Sequence, residues 1–236
     1  GLIGCADAGY HIYGAACRGI ERVDSGYRSM LSVQTSLILR PLKTWGTDDQ
    51  RRVWLDDLAA GNMIGAFGLT EPDGGSDPGA MGTTAHREGD QWVLNGSKAW
   101  ITNAPVADLF LIWARTEDGI RGFWVPYDTE GLITTSIKGK MAMSTSPTGN
   151  IFLDNVKTTQ VLDHPPGLST PLSILTGARY GISWGALGAA QECFERVRDY
   201  SMERKAFGKP LASKQLVQES LARMTTKLST ALAACI

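Results

Sequence analysis

A few short stretches of the 236-residue chain carry residue types that could do chemistry. In FGLTEPDGGSD, residues 67–77, an apolar run from Met63 to Leu69 stops at Pro72 and gives way to Asp, Gly and Ser alone. Glycines permit backbone angles that other residues resist, and Ser and Asp bond to nearby backbone. A strand stopping here leaves backbone N–H groups that could face a polar ligand; the alternative is an ordinary surface turn. In KAWITN, Lys98 to Asn103, Trp100 and Thr102 lie two apart and so share one face of a strand. An aromatic plane beside a hydroxyl suits a flat heteroaromatic cofactor, which needs a stacking surface and a hydrogen bond; the alternative is a Trp buried in a barrel core. In MERKAFGKPL, residues 202–211, Arg204 and Lys205 stand near the end of a helix with Phe207 just beyond. They either complement the helix dipole or point at phosphates, for which the planar fork of arginine is the better clamp. Finally, Asp24 and Arg28 are four apart in a helical stretch, the spacing of a solvated ion pair.

The elements that must position these residues fall into three blocks. Residues 15–42 read as one helix, with Ile20, Val23, Met30, Val33 and Leu37 at helical intervals and Pro41 at its end. Thr47 caps a second helix over 48–60, stopped by Gly61. From about 63 to 156 come short runs rich in Trp, Val, Ile, Phe and Thr. Within REGDQWVLNGSKAWITN, Asn95-Gly96 reads as a hairpin turn between two strands. DLFLIWART and RGFWVPY form a second pair, joined by Glu117-Asp118-Gly119, and GLITTSI and GNIFLDNV follow. After Pro171 the pattern is helical to the chain end, with a last helix from about Ser213. Gly177, Gly181, Gly185 and Gly188 recur along one helix face, which points to close approach of a neighbouring helix or a ligand. Helices, then strands, then helices make an α+β chain, without the alternation or the G-x-G-x-x-G of a Rossmann domain.

Composition removes several function classes. Lys+Arg of 23 against Asp+Glu of 24 gives a net charge of -1, which does not suggest a nucleic-acid or anionic-membrane partner. Cys5, Cys17, Cys193 and Cys235 show no metal or redox spacing and read as reduced thiols. Three scattered histidines give little support to a metal site or a Ser-His-Asp triad. No apolar run is long enough to span a bilayer. The chain starts at Gly1 and stops inside a helical stretch, so both ends read as cut.

GLTEPDGGSDPGA, KAWITN and RKAFGKPL followed by Gln215, in this order and spacing, resemble the acyl-CoA dehydrogenase family of flavoenzymes over nearly the whole chain. The resemblance implies N-terminal helices over 1–62, a central antiparallel β-barrel or sheet domain over 63–165 and a C-terminal helical bundle, incomplete here, over 166–236. It implies FAD as cofactor, with Leu69 and Thr70 contacting the flavin, Trp100 and Thr102 against its ring, and Arg204, Phe207 and Gln215 holding the FAD of a neighbouring subunit. It implies substrate contacts from Ser76 and Arg179. ERVDSGYRSMLSVQTSL, residues 21–37, resembles the glutaryl-CoA dehydrogenases. There Arg28 would meet the distal carboxylate of the acyl group, with Glu21, Ser29 and Ser32 shaping the pocket.

The implied activity is dehydrogenation and decarboxylation of glutaryl-CoA to crotonyl-CoA, as in lysine and tryptophan degradation. Electrons would pass to an electron-transfer flavoprotein, from a homotetramer in a mitochondrial matrix or bacterial cytoplasm. The family's general-base glutamate is expected beyond Ile236, so no catalytic residue is assigned in this chain; Glu71, in the flavin loop, is no substitute. Ser144 departs from the arginine of related sequences. Two other readings stay open: a shortened, inactive homologue kept for binding or assembly, and a dehydrogenase for another short-chain acyl-CoA.

Overall fold

A computed structural model describes residues 9–236. Cys5 and the first eight residues of the expected N-terminal domain lie outside the described part. The single helix expected over 15–42 is built in pieces. Helix α1 (Tyr10–Glu21) ends before Asp24, which caps α2 (Ser25–Ser32) by accepting the Gly26 N–H at 2.6 Å. The backbone then runs as a π-helix over Val33–Leu39 and re-enters α geometry as α3 (Arg40–Trp45). Pro41 therefore does not end the helix as its type suggests. The Arg40 N–H bonds five residues back to the Thr35 carbonyl, and Pro41 falls in the first turn of α3, where a missing N–H costs little. Helix α4 (Asp48–Ala60) has the expected signals: a Thr47–Gln50 capping box and Gly61 in the left-handed region at φ 81°.

Strands β1 (Gly65–Gly68), β2 (Thr84–Glu88), β3 (Gln91–Thr102), β4 (Leu109–Thr116), β5 (Gly119–Pro126), β6 (Leu132–Ser136) and β7 (Thr148–Thr158) form one curled half-barrel sheet, ordered β1-β4-β2-β3-β7-β6 with β5 on β4. Most pairings are antiparallel, but β1 and β2 both run parallel to β4, so the sheet is mixed. Strand β4 is covered on both faces. Leu109, Leu111 and Trp113 pack towards Ile38, Leu42 and Leu58 of the helices, while Phe110, Ile112 and Ala114 pack with Phe123, Ile151 and Val156. That is why LFLIWA is a continuous apolar run rather than an alternating one.

The hairpin expected at Asn95-Gly96 is not there. The β2–β3 turn is Gly89-Asp90, and β3 continues through Asn95-Gly96, opposite a bulge of one extra residue in β7. Gly96 has φ 146°, and a Cβ there would stand 2.6 Å from Thr83 Oγ1. The Asn-Gly pair thus marks a close approach inside a strand, where glycine is needed for space rather than for a turn.

Helix α5 (Ser169–Glu203) is followed by a short hairpin, β8 (Lys205–Ala206) and β9 (Lys209–Pro210), and by α6 (Gln215–Cys235). The glycine row of α5 faces the N-terminal helices. A Cβ on Gly188 would lie 2.1 Å from the Arg18 carbonyl oxygen, so here two helix backbones touch. Gly181 and Gly185 make room for Tyr13 and for the Glu21–Arg28 side chains. Of the two explanations for the row, the neighbouring helix is the one the structure supplies.

Gly188→Ala tests that contact. Helix propensity alone would make alanine about 1 kcal/mol more stable. Against a fixed carbonyl it should instead cost about 1–3 kcal/mol in denaturant unfolding. A gain in stability would mean that α1 and α5 are not packed this closely.

Candidate active site

A pocket of about 320 Å³ lies where the end of β1, the end of β3, the π-helix and the first half of α5 meet. Leu69, Thr70 and Ser76 reach it from the loop after β1, and Trp100 and Thr102 from β3. Arg179 comes from α5. Six of the residues singled out in the sequence are thereby brought around one cavity.

Local backbone explains how they get there. Between Lys98 and Ile101 the β3–β7 pairing slips by one residue, and Trp100 takes φ 60°, a left-handed conformation unusual for a bulky side chain. Its indole is 63% exposed, so Trp100 is not the barrel-core tryptophan that the sequence also allowed. Asn103 is likewise left-handed, at φ 69°; it is fully buried and donates from Nδ2 to the Gly65 carbonyl at 3.1 Å, while its Oδ1 is buried without a partner.

The loop after β1 is closed by reciprocal backbone bonds between Glu71 and Gly74, at 3.1 and 3.2 Å. Its two preceding carbonyls are tied to β3: Lys98 Nζ donates to the Leu69 oxygen at 3.3 Å, and the Ala99 N–H to the Thr70 oxygen at 2.9 Å. The N–H groups of Leu69 and Thr70 find no acceptor among the described residues. Leu69 is buried and both residues line the cavity, so their N–H groups are donors that an acceptor in the pocket could satisfy.

Glu71 is held by Lys98 Nζ at 2.8 Å, by the Gly82 and Thr83 N–H groups at 2.6 and 2.9 Å and by the Thr83 hydroxyl at 2.5 Å. Burial alone would raise its pKa, but the bonds from Lys98, Thr83 and Gly82 outweigh it and hold the carboxyl at about 2. Burial lowers the Lys98 ammonium to about 8, with Glu71 pulling the other way. A carboxylate so saturated is a weak proton acceptor near neutral pH. Among the described residues that line the pocket, Arg179 is the one charged side chain, and no carboxylate is present. The pocket can stack a flat ring, donate hydrogen bonds to it and bind an anion, but its lining supplies no general base.

The other expected site residues lie elsewhere. Arg28 and Glu21 form a buried ion pair against Gly185 and do not line the pocket. The Asp24–Arg28 pair suggested by their spacing is absent, because Asp24 is occupied in capping α2 and in accepting from Thr145. Only Nε of Arg28 is engaged; its terminal nitrogens have no partner among the described residues. Ser32 exchanges a hydrogen bond with the Tyr13 hydroxyl at 2.8 Å, and Ser29 is buried beside them. Arg204, Phe207 and Gln215 are exposed and away from this lining. Phe207 is 95% exposed and, like Gly208, has positive φ (55° and 74°), the geometry of a two-residue hairpin turn. Ser144 is exposed in a loop fastened by Lys140 and by Thr145.

Sequence reasoning missed the aliphatic wall: Val33 and Leu37 on the π-helix, and Leu172 and Leu175 on α5. Their spacing is that of core residues, and nothing in it reveals which core residues border a cavity. It also missed the joint role of Lys98 and Glu71, for which a lysine inside an apolar strand was the available signal.

Comparison with known proteins covers almost the whole chain. Models of the acyl-CoA dehydrogenase N-terminal, middle and C-terminal domains match residues 2–62, 66–156 and 166–236. A glutaryl-CoA dehydrogenase from Mycobacterium smegmatis, solved in complex with FADH2, is 47% identical with a TM-score of 0.96; the match covers all of this chain and 61% of that one. Another structure of glutaryl-CoA dehydrogenase from Mycobacterium smegmatis is 46% identical, with a TM-score of 0.95, and the same share of each chain is covered. The human short-chain specific acyl-CoA dehydrogenase, mitochondrial, is 37% identical over 97% of this chain and 58% of the relative. The chain thus spans about three-fifths of the length of these proteins. Among the described residues no helix is long and apolar enough to cross a membrane.

The titration of Glu71 gives a test of the bonds that hold it. A carboxyl at about 2 in the folded state and 4.5 unfolded adds stability that is present above 4.5 and is lost as pH falls towards 2. Glu71→Gln should flatten that acid limb of the unfolding curve. At neutral pH it should cost about 3 kcal/mol, because it leaves the Lys98 charge buried without its counter-ion. An unchanged acid limb would show that Glu71 carries no such burden.

Proposed function

The chain belongs to the acyl-CoA dehydrogenase family, and from that premise we propose that its pocket binds FAD and serves the dehydrogenation and decarboxylation of glutaryl-CoA to crotonyl-CoA. The observation carrying the flavin part is the exposed, backbone-strained Trp100 beside Thr102, in the same cavity as the unpaired N–H groups of Leu69 and Thr70. FAD, when bound, supplies the acceptor for the hydride that leaves the substrate's β carbon. The chain's own residues bind and orient. Trp100 offers the stacking plane, Thr102 a hydroxyl, and Leu69 and Thr70 the donors for polar ring atoms. Ser76 and Arg179 serve the thioester-bearing substrate. The aliphatic wall of Val33, Leu37, Leu172 and Leu175 keeps water from the reacting carbons. The α proton goes to a carboxylate that the pocket lining does not contain; the relatives are longer than this chain, and we place the base in that further part of the fold.

The dicarboxylic substrate is supported by the 46–47% identity to glutaryl-CoA dehydrogenases and by Arg28. Buried at 8% exposure, Arg28 meets Glu21 through Nε and keeps its terminal nitrogens without a partner among the described residues, less than two turns of helix before Val33 of the pocket wall. A second carboxylate, from the acyl chain, would complete its fork. Glu21, Ser29 and Ser32 hold the arginine's surroundings. Arg204, Phe207 and Gln215, exposed and away from this pocket, fit a role towards the FAD of a neighbouring subunit in a homotetramer. Electrons would leave to an electron-transfer flavoprotein.

Anaerobic titration of the natural enzyme with glutaryl-CoA should bleach the flavin band and release carbon dioxide. Arg28→Gln should lower kcat/KM for glutaryl-CoA at least ~30-fold, as loss of one member of a buried charge pair costs about 2 kcal/mol or more. Its effect on butyryl-CoA should be several-fold smaller. Faster turnover of butyryl-CoA than of glutaryl-CoA by the unaltered enzyme would point instead to a dehydrogenase of another short acyl-CoA.

A further inference from the structure

The buried Lys98–Glu71 pair touches the pocket loop yet has no part in the chemistry above; the role inferred for it rests on reading the pocket as a flavin site. Lys98 is fully buried in the middle of β3. Its stem is confined, since a Cβ on Gly68 would stand only 3.3 Å from Lys98 Cγ. A methionine would fill the same space without the cost of a buried charge. What methionine lacks is a donor, and the Lys98 ammonium has two acceptors, Glu71 at 2.8 Å and the Leu69 carbonyl at 3.3 Å.

The second acceptor matters most. In a planar trans peptide the C=O and the next N–H point in opposite directions. Fixing the Leu69 oxygen on Lys98 therefore fixes the Thr70 N–H on the other side, where it stays unpaired at the pocket that Thr70 lines. The next peptide is fixed in the same manner: the Thr70 oxygen goes to the Ala99 N–H, and the Glu71 N–H goes to Gly74. Glu71 neutralises the ammonium, and the Gly82 and Thr83 bonds keep Glu71 in place. We propose that Lys98 is a positioning residue for the flavin: through the Leu69 carbonyl it sets the direction of the Thr70 N–H, and with it the affinity and reduction potential of the bound flavin. A donor aimed at the ring stabilises the electron-rich reduced form more than the oxidised one, so losing its aim lowers the potential.

The test uses the full-length natural protein. FAD affinity is measured by titrating the deflavinated protein, the potential by equilibration with redox dyes, and foldedness by melting of the FAD-free form. Lys98→Met should weaken FAD about tenfold and shift the potential to more negative values. Glu71→Gln, which keeps the Lys98–Leu69 contact, should lower the melting temperature comparably but leave FAD affinity within about threefold. The double variant Lys98→Met/Glu71→Gln, with no stranded charge, should regain melting temperature without regaining FAD affinity. If it recovers both, or if FAD affinity falls equally in the two single variants, the pair is only structural and the proposal fails; the single variants decide the matter should the double variant not fold. Unaltered protein that takes up no FAD would overturn the flavin reading itself, whereas a flavin-loaded protein whose variants keep affinity and potential would overturn the role of Lys98 alone.

Discussion

One buried ammonium–carboxylate contact joins the two halves of the pocket. Lys98 belongs to β3, which ends in Trp100 and Thr102; Glu71 belongs to the loop that carries Leu69, Thr70 and Ser76. Besides that contact the loop is joined to β3 by the Lys98 Nζ bond to the Leu69 carbonyl and by the Ala99–Thr70 backbone bond. A fully buried lysine is an expensive way to join two segments. The cost is offset because every oxygen of Glu71 is occupied: Oε1 by Lys98 and Thr83, Oε2 by Gly82. A half-satisfied pair at this position would be worse than an apolar one.

The opposite wall is built by shape rather than charge. Gly188 lets α1 and α5 meet at backbone distance, and Gly181 and Gly185 accept Tyr13 and the Glu21–Arg28 pair into the surface of α5. The π-helix over Val33–Leu39 changes the register between α2 and α3. Gln34 then bonds to the Leu58 and Met63 carbonyls and the Gly65 N–H, while Val33 and Leu37 are left to face the cavity. The same seven residues thus seal the helices onto β1 and line the pocket.

Much of this was legible in the chain. The block order, the Thr47 cap and Gly61 stop and the DLFLIWART–RGFWVPY pair follow from local pattern, whereas the grouping of Leu69, Thr70, Ser76, Trp100, Thr102 and Arg179, which line one cavity, came from the resemblance of their motifs to a family. What was not legible shares a cause: it depends on non-local backbone detail. Asn95-Gly96 is not a turn: Gly96 is a glycine because Thr83 crowds it, and the pair lies opposite a bulge in β7. Pro41 fails to end a helix because a π turn precedes it. Arg28 pairs with Glu21, seven residues back across a helix break, instead of with Asp24 at the ideal helical spacing, because Asp24 is already used as a cap.

The strained residues of the chain include side chains that it presents outward. Non-glycine residues rarely take positive φ, and for bulky ones the cost is of order 1–3 kcal/mol. Two of the few described here are large aromatics, Trp100 and Phe207, and both are displayed to solvent rather than packed. No hydrophobic gain within the chain repays that combination; each ring is strained in order to be presented. In the proposed reading the two rings serve different flavins, Trp100 the one in its own pocket and Phe207 one held by a neighbouring subunit. Lys214 already stands 5.5 Å from the Phe207 ring, a cation beside the platform on which a phosphate-bearing nucleotide would rest. In that reading the division of labour is physical: this part of the fold presents planes, donors and cations on rigid elements, and Glu71, held at about 2, serves as a fixed charge rather than as a base.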